Sequence, residues 1–318
     1  MLTALIPASF EREVRQGLLK TPKALPAKFF YDRRGSEIFE RITRLPEYYL
    51  TRSETEILTR YGLRIFEHIQ TAQRGGQIVE LGAGSAAKIS LLLQAAASRK
   101  ERWTYVPVDV CQTALQGIQT QLAAKFPDVS VSPYHGDYLQ RSWRSTSTSK
   151  LVLFLGANIG NYSPDHARRI LTKLASSFGS NTYLLIGFDL HKPSSIILPA
   201  YNDAQGVTAE FNLNLLRRIN YECEANFDLT QFCHAPIYNE TLRRAESYLV
   251  STQTQTVVFN RTYTRFQFAP GERIFTEISQ KYTLPDCRLL LENSGFEVID
   301  AYFDSPKYYV DILCRVHN

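Results

Sequence analysis

Between Ile78 and Phe188, short apolar runs alternate with stretches of helical spacing, the pattern of a parallel sheet covered by helices. Gln77–Leu81 predicts the first strand, and the helix after its glycines turns Ile89, Leu92 and Leu93 inward. Trp103–Val108 predicts the second strand, ending at Asp109. A helix over Cys111–Phe126 then leads to a short third strand near Val129–Val131 and to His135-Gly-Asp137-Tyr138. Leu151–Leu155 is continuously apolar, as a central parallel strand buried on both faces should be. Ser163-Pro164-Asp165 starts a helix with proline in its first turn, and Tyr183–Phe188 is the fifth strand.

Beyond residue 192 the period changes. A helix around Val207–Ile219 carries Val207, Phe211 and Leu215 on one face. Val257-Val-Phe-Asn-Arg-Thr-Tyr263 and Arg265-Phe-Gln-Phe268 alternate with period two, which predicts half-buried antiparallel strands rather than further βα units. The α/β pattern returns with a helix at Asp286–Asn293, stopped by Ser294-Gly295, and two strands, Phe296–Phe303 and Tyr308–Val316. The fold class read here is α/β: a Rossmann-like sheet with an inserted α+β domain. Residues 60–192 and 282–318 make the first domain; residues 1–59 and 193–281 make the second.

The chemistry concentrates where the first strand ends, at Glu80-Leu-Gly82-Ala-Gly84-Ser-Ala-Ala-Lys88. Glycines let the backbone pass close to a ligand, and the helix start beyond them offers free N–H groups to an anion. This turn binds a nucleotide-bearing cofactor at the carboxyl edge of a parallel sheet. Gly82-x-Gly84-x-x-Ala87 also fits a loose dinucleotide fingerprint, so a nicotinamide or flavin enzyme stands as the alternative. Two features favour S-adenosyl-L-methionine: Glu80 two residues before Gly82, and the closing pair of strands after the α/β core. Asp109 can accept both ribose hydroxyl protons, a role it would also fill in a dehydrogenase. Asp137-Tyr138 stands where methyltransferases hold the adenine. The loop Gly156-Ala-Asn-Ile-Gly-Asn161 lacks the Asn/Asp-Pro-Pro-aromatic signature of nucleic-acid amino-methyltransferases.

Composition removes several other classes. The chain of 318 residues is 44% hydrophobic and 21% charged, enough for a real core. A net charge of +5 is spread over scattered basic residues, which does not suggest nucleic-acid binding. Five widely spaced cysteines predict no disulfide framework and a reducing, cytoplasmic setting; no His/Cys cluster has metal-ligand spacing, so no metal is expected. The N-terminus, Met1-Leu-Thr-Ala-Leu-Ile-Pro, lacks a signal-peptide layout, and no apolar stretch is long enough for a membrane span. The expected state is a monomer acting on a small molecule.

Five longer stretches carry a resemblance. Phe29-Phe-Tyr31-Asp32-Arg-Arg-Gly35-Ser36-Glu-Ile-Phe39 and Thr43-Arg-Leu-Pro-Glu-Tyr48-Tyr49 precede the glycine loop. Ile159-Gly160-Asn161, Ala200-Tyr201-Asn-Asp203-Ala-Gln-Gly206-Val-Thr208-Ala and Thr276-Glu277-Ile-Ser279 follow it. Together they resemble the L-histidine Nα-methyltransferases of ergothioneine biosynthesis, over nearly the whole chain. The resemblance implies an enzyme that makes trimethylhistidine (hercynine) from three S-adenosylmethionine molecules. It further implies cofactor contacts at Gly82, Gly84, Lys88, Asp109, Asp137 and Tyr138. Amino-acid contacts are implied at Tyr48, Asn161, Tyr201, Thr208, Ser247, Glu277 and Ser279, with Tyr31 and Asn161 nearest the reacting amine. Asn161 and Tyr201 can donate to the substrate carboxylate, and Glu277 and Ser279 can pair with imidazole N–H. Ser247 departs from the pattern, standing where the family often has methionine beside the substrate side chain. A small polar residue there enlarges or wets that wall. Methylation of another aromatic amino acid, of tryptophan or tyrosine type, is the rival within the enzyme class; a non-catalytic ligand-binding module is the rival outside it.

Overall fold

The apolar runs of the α/β region join one seven-stranded sheet in the computed structural model, which describes residues 8–69, 75–141, 143, 149–179 and 181–317. Residues 1–7, read above for a leader, lie outside the described residues. Across the sheet the strands run Phe296–Phe303, Tyr309–Val316, Thr182–Asp189, Lys150–Phe154, Gly75–Leu81, Arg102–Asp109 and Tyr134–His135. The last five are mutually parallel, while Tyr309–Val316 runs antiparallel to Thr182–Asp189 and to Phe296–Phe303. Lys150–Phe154 and Thr182–Asp189 are buried at every position, which explains their unbroken apolar reading. The strand order reverses between Gly75–Leu81 and Lys150–Phe154, and a doubly wound sheet binds its ligand at such a switch point.

One predicted strand moves. Val131 makes only a single bridge, to Tyr105, and the edge ladder is instead formed by Tyr134–His135 opposite Val108 and Asp109. The Val129–Val131 run is only partly buried and lies between Pro127 and Pro133, whose nitrogens cannot donate to a ladder. Asp137 therefore follows the strand end by two residues.

The chain divides into two compact units, Met1–Tyr48 with Pro193–Ser279 and Tyr49–Lys192 with Gln280–Asn318. The expected boundary at residues 59/60 shifts to Tyr48/Tyr49. The reason is the Tyr49–His68 helix, which buries Leu50, Ile57, Leu58, Ile65 and Phe66 and packs on the Ala87–Ser98 helix and the Tyr309–Val316 strand. The chain passes between the units after residues 48, 192 and 279. In the sheet unit, residues near all three crossings meet one buried carboxylate. Asp189 accepts from the Tyr49 hydroxyl at 2.8 and 2.9 Å, from Lys192 at 2.5 Å and from Lys281 at 2.6 Å. Burial alone would raise the pKa of Asp189, but the two ammonium groups outweigh it and hold the carboxyl below its usual range.

In the other unit, Arg273–Gln280 is paired with Lys23–Ala24 and lies beside Arg244–Ser251, which also pairs with Phe232–His234 and Ile237–Asn239. The alternating segments form the antiparallel hairpin Gln255–Phe259/Thr264–Phe268. Its core gathers Val14, Phe30, Ile38, Phe211, Leu215, Ile219, Phe259 and Phe268 from helices and strands alike. The helices begin where local chemistry dictates. Asp32 caps the Arg33–Ile42 helix by accepting from the Gly35 N–H at 2.6 Å, and Asp203 accepts from the N–H groups of Val207 and Thr208 at 2.9 and 2.7 Å.

Candidate active site

The glycine turn takes the shape its residues require. Gly82 and Gly84 adopt φ +71° and +58°, the left-handed region that costs glycine nothing, and a Cβ placed on Gly84 would meet no atom within 4 Å. The turn is therefore open on the side a ligand would approach. Asp109 braces it: Oδ2 accepts from the Gly84 N–H at 3.0 Å and Oδ1 from the Cys111 N–H at 2.8 Å. The Val110 N–H is a third backbone donor to this carboxylate, which keeps acceptor capacity for a further one. Burial raises the Asp109 pKa, and these backbone donors oppose the rise. Asp137 accepts from the Leu139 N–H at 2.8 Å, and the Tyr138 hydroxyl lies 3.1 Å from that of Tyr162.

The loop of Asn161 emerges from the neighbouring strand. Gly156 has φ +76° and Ala157 φ +52°, a strained conformation for alanine, and Asn158–Asn161 forms one turn of 3-10 helix. Asn158 Nδ2 stands 3.4 Å from the Cβ position of Gly82, so the two loops of the switch point touch. Gly82, Gly84, Asp109, Asp137, Tyr138 and Asn161 thus share the carboxyl end of one sheet. Glu80, the acidic residue before the turn, points elsewhere. It is wholly buried, bonded to the Tyr105 hydroxyl, and burial pushes its pKa to about 8, so it is mostly protonated at neutral pH.

Lys88 pairs with Glu54, a buried residue of the Tyr49–His68 helix that sequence reasoning passed over. Burial would lower the Lys88 pKa; the Glu54 charge outweighs it and raises the ammonium above the usual lysine range. A signal for Glu54 was present. It lies on the face that carries Leu50, Ile57 and Leu58, and an acidic side chain on an apolar stripe must find buried partners.

In the second unit, Tyr201 donates to Ser279 Oγ at 2.6 Å, and both residues are buried. Strand alternation puts Glu277 on the same face as Ser279. Tyr31, Phe39, Tyr48 and Phe211 form a partly buried aromatic cluster with ring centroids 5.6–6.2 Å apart. Thr208 lies in the first turn of the Val207–Cys223 helix, its N–H on Asp203. Ser247 is buried on the strand beside Glu277, and its carbonyl oxygen lies 3.0 Å from the Thr276 hydroxyl. A cavity of about 350 Å³ lined by Arg34, Glu210, Asn214 and Arg217 contains none of the expected site residues.

Comparison with known proteins decides among the cofactor readings. Residues 10–316 match the model of the histidine-specific, S-adenosylmethionine-dependent methyltransferases. The chain belongs to this family. The methyltransferase is 38% identical over 275 residues to a histidine N-alpha-methyltransferase from Mycobacterium tuberculosis, covering 86% of this chain and 84% of that one. It is 31% identical over 288 residues to ergothioneine biosynthesis protein 1 of Schizosaccharomyces pombe, covering 87% of this chain and 37% of that protein. In fold it resembles the magnesium protoporphyrin IX methyltransferase of Synechocystis PCC 6803, solved with bound S-adenosylhomocysteine. The TM-score is 0.50 at 10% identity, covering 92% of this chain and 98% of that one. The α/β Rossmann-like class and the dependence on S-adenosylmethionine hold, and the nicotinamide and flavin alternatives fall away. No helix among the described residues is long and apolar enough to cross a membrane.

Proposed function

We propose that this methyltransferase trimethylates the α-amine of L-histidine to hercynine and serves ergothioneine biosynthesis. The names of the two sequence relatives support this. The observation that carries it is the Arg273–Gln280 strand: Ser279, bonded to Tyr201, and Glu277 two residues before it offer polar contacts suited to imidazole N–H. A site with such acceptors favours a ring that carries N–H donors over an apolar one.

S-adenosylmethionine supplies an electrophilic methyl group on a sulfonium. In this reading the open Gly82–Gly84 turn admits the cofactor, Asp109 takes the ribose hydroxyls, and Asp137 with Tyr138 takes the adenine. Lys88 faces the carboxylate of the methionine portion. Asn161 orients the amino acid through its carboxylate, Tyr48 flanks it, and Tyr201, its proton on Ser279, holds that hydroxyl in place, with Thr208 and Ser247 completing the surroundings. Transfer needs nitrogen, methyl carbon and sulfur in line, and alignment alone can supply a large part of the acceleration. The α-amine is protonated in water at neutral pH, so a proton leaves to solvent before each transfer, relayed through the Tyr31 hydroxyl or through water. The aromatic cluster of Tyr31, Phe39 and Tyr48 suits the ammonium that gains methyl groups, since cation–π contact adds about 0.5–2 kcal/mol.

A monomer working in the cytoplasm completes the reading; the compartment is supported by the five cysteines, which form no disulfide with one another. The test is release of S-adenosylhomocysteine with each amino acid in turn. Release with histidine well above tryptophan and tyrosine is expected; release with tryptophan alone, or with none, would overturn it.

A further inference from the structure

We propose that Glu54 is a positioning residue for methyl transfer: its carboxylate ties Lys88 to the first amide of the loop that carries Asn161. The proposal rests on the reading of Lys88 as a cofactor contact.

Glu54 is wholly buried and meets three donors. The Gly156 N–H reaches its two oxygens at 2.8 and 3.0 Å, the Tyr309 hydroxyl donates to Oε1 at 2.8 Å, and Lys88 forms an ion pair with Oε2. Three donors from three separate segments of the chain thus converge on one carboxylate. Lys88 also lies close to the loop itself, since a Cβ on Gly156 would stand 3.3 Å from its Nζ. Lys88 lies in the first turn of the Ala87–Ser98 helix beyond the glycines, and Gly156 opens the turn that ends at Asn161. One side chain therefore sets the spacing of two groups assigned to cofactor and amine.

The surroundings are built around this carboxylate. Gly187 sits in the fully buried Thr182–Asp189 strand, and a Cβ there would collide with the Tyr309 hydroxyl, Glu54 Oε1 and Asp311 Oδ1. The neighbouring Asp311 is wholly buried; burial first, then the Glu54 charge, raises its pKa well above the usual carboxylate range. Helix anchoring alone does not require this cluster. Replacing a buried ion pair with apolar side chains is often neutral or stabilising, and the Tyr309 hydroxyl could be replaced along with it.

The test is a double-mutant cycle on S-adenosylmethionine affinity, measured by calorimetry without amino acid, using Glu54→Gln, Lys88→Met and the double variant. Each single variant is expected to bind about ten- to a hundredfold more weakly, and the double variant no more than about threefold more weakly than Lys88→Met, because coupled residues are not additive. Additive losses, or wild-type affinity in folded Glu54→Gln, would overturn the positioning role while leaving the role of Lys88 intact. Wild-type affinity in Lys88→Met would instead refute the reading of the lysine, and this proposal with it. Should Glu54→Gln not fold, Glu54→Asp keeps the charge and shortens its reach. A several-fold loss of affinity and of kcat supports the proposal, and unchanged values for both overturn it.

Discussion

Replacing Asp109 by asparagine probes the cofactor end of the site with the least disturbance. The native carboxylate holds three backbone donors, Gly84 N–H at 3.0 Å, Cys111 N–H at 2.8 Å and the Val110 N–H, and is read as accepting ribose hydroxyls besides. Asparagine keeps one acceptor oxygen and puts an amide donor where the other stood. One hydroxyl bond to a charged acceptor is lost, worth about 1.5–3 kcal/mol, which weakens S-adenosylmethionine binding about ten- to a hundredfold. One backbone N–H also loses its acceptor, which costs about 1–3 kcal/mol of folding stability. Calorimetry gives the first quantity and denaturant unfolding the second. Burial raises the Asp109 pKa above the ordinary 3.8, so wild-type affinity should decline under milder acidity than an ordinary aspartate would dictate. The variant should lose that dependence. A folded Asp109→Asn protein that binds the cofactor as tightly as wild type would refute the ribose assignment.

Three further outcomes are expected. Glu80→Gln should remove a pH dependence of stability. The pKa of this glutamate rises from 4.5 unfolded to about 8 folded, so its contribution is full below about pH 4.5 and lost as pH climbs through 8. Chemical unfolding should show the variant gaining on wild type from pH 5 to pH 8, on the order of 1 kcal/mol per pH unit; parallel curves would contradict this. Asp189→Asn strands Lys192 and Lys281 without their buried charge partner and should lower stability by about 3–5 kcal/mol at neutral pH. The native contribution is present above about pH 3.8 and fades as acid passes the depressed folded pKa, and a neutral-pH loss under 1 kcal/mol would speak against it. Glu277→Ala should cut kcat/KM for histidine about ten- to a hundredfold with cofactor affinity unchanged, and narrow the preference over tryptophan. An unchanged histidine-to-tryptophan ratio would show that Glu277 does not read the side chain.

The sheet was legible in the sequence because its strands are buried on both faces. Continuous runs such as Leu151–Leu155 and Tyr183–Phe188 leave little room for another assignment, and the observed strands differ from them by one residue at each end. The edge strand was not, since two residues at Tyr134–His135 carry no periodicity and are fixed by pairing with Val108 and Asp109. The helices before residue 49 went unassigned for a different reason. Their start is set by caps such as Asp32, and their burial depends on distant partners, as with Phe30 against Phe211. In the site, the glycine turn announced itself through local chemistry. The ion pair of Lys88 with Glu54 joins residues far apart in the chain, and only the apolar stripe around Glu54 hinted at it. Glu80 shows the converse: a residue of the motif whose structural role is buried and protonated.

The central claim concerns which atom receives the methyl group. Incubating the protein with histidine and S-adenosylmethionine carrying a carbon-labelled methyl, then locating the label by NMR, tests it directly. The account predicts stepwise labelling that ends with three methyl groups on the α-nitrogen and none on the ring, because Glu277 and Ser279 are assigned to the imidazole. Label on a ring nitrogen, or incorporation with tryptophan but not with histidine, would contradict it.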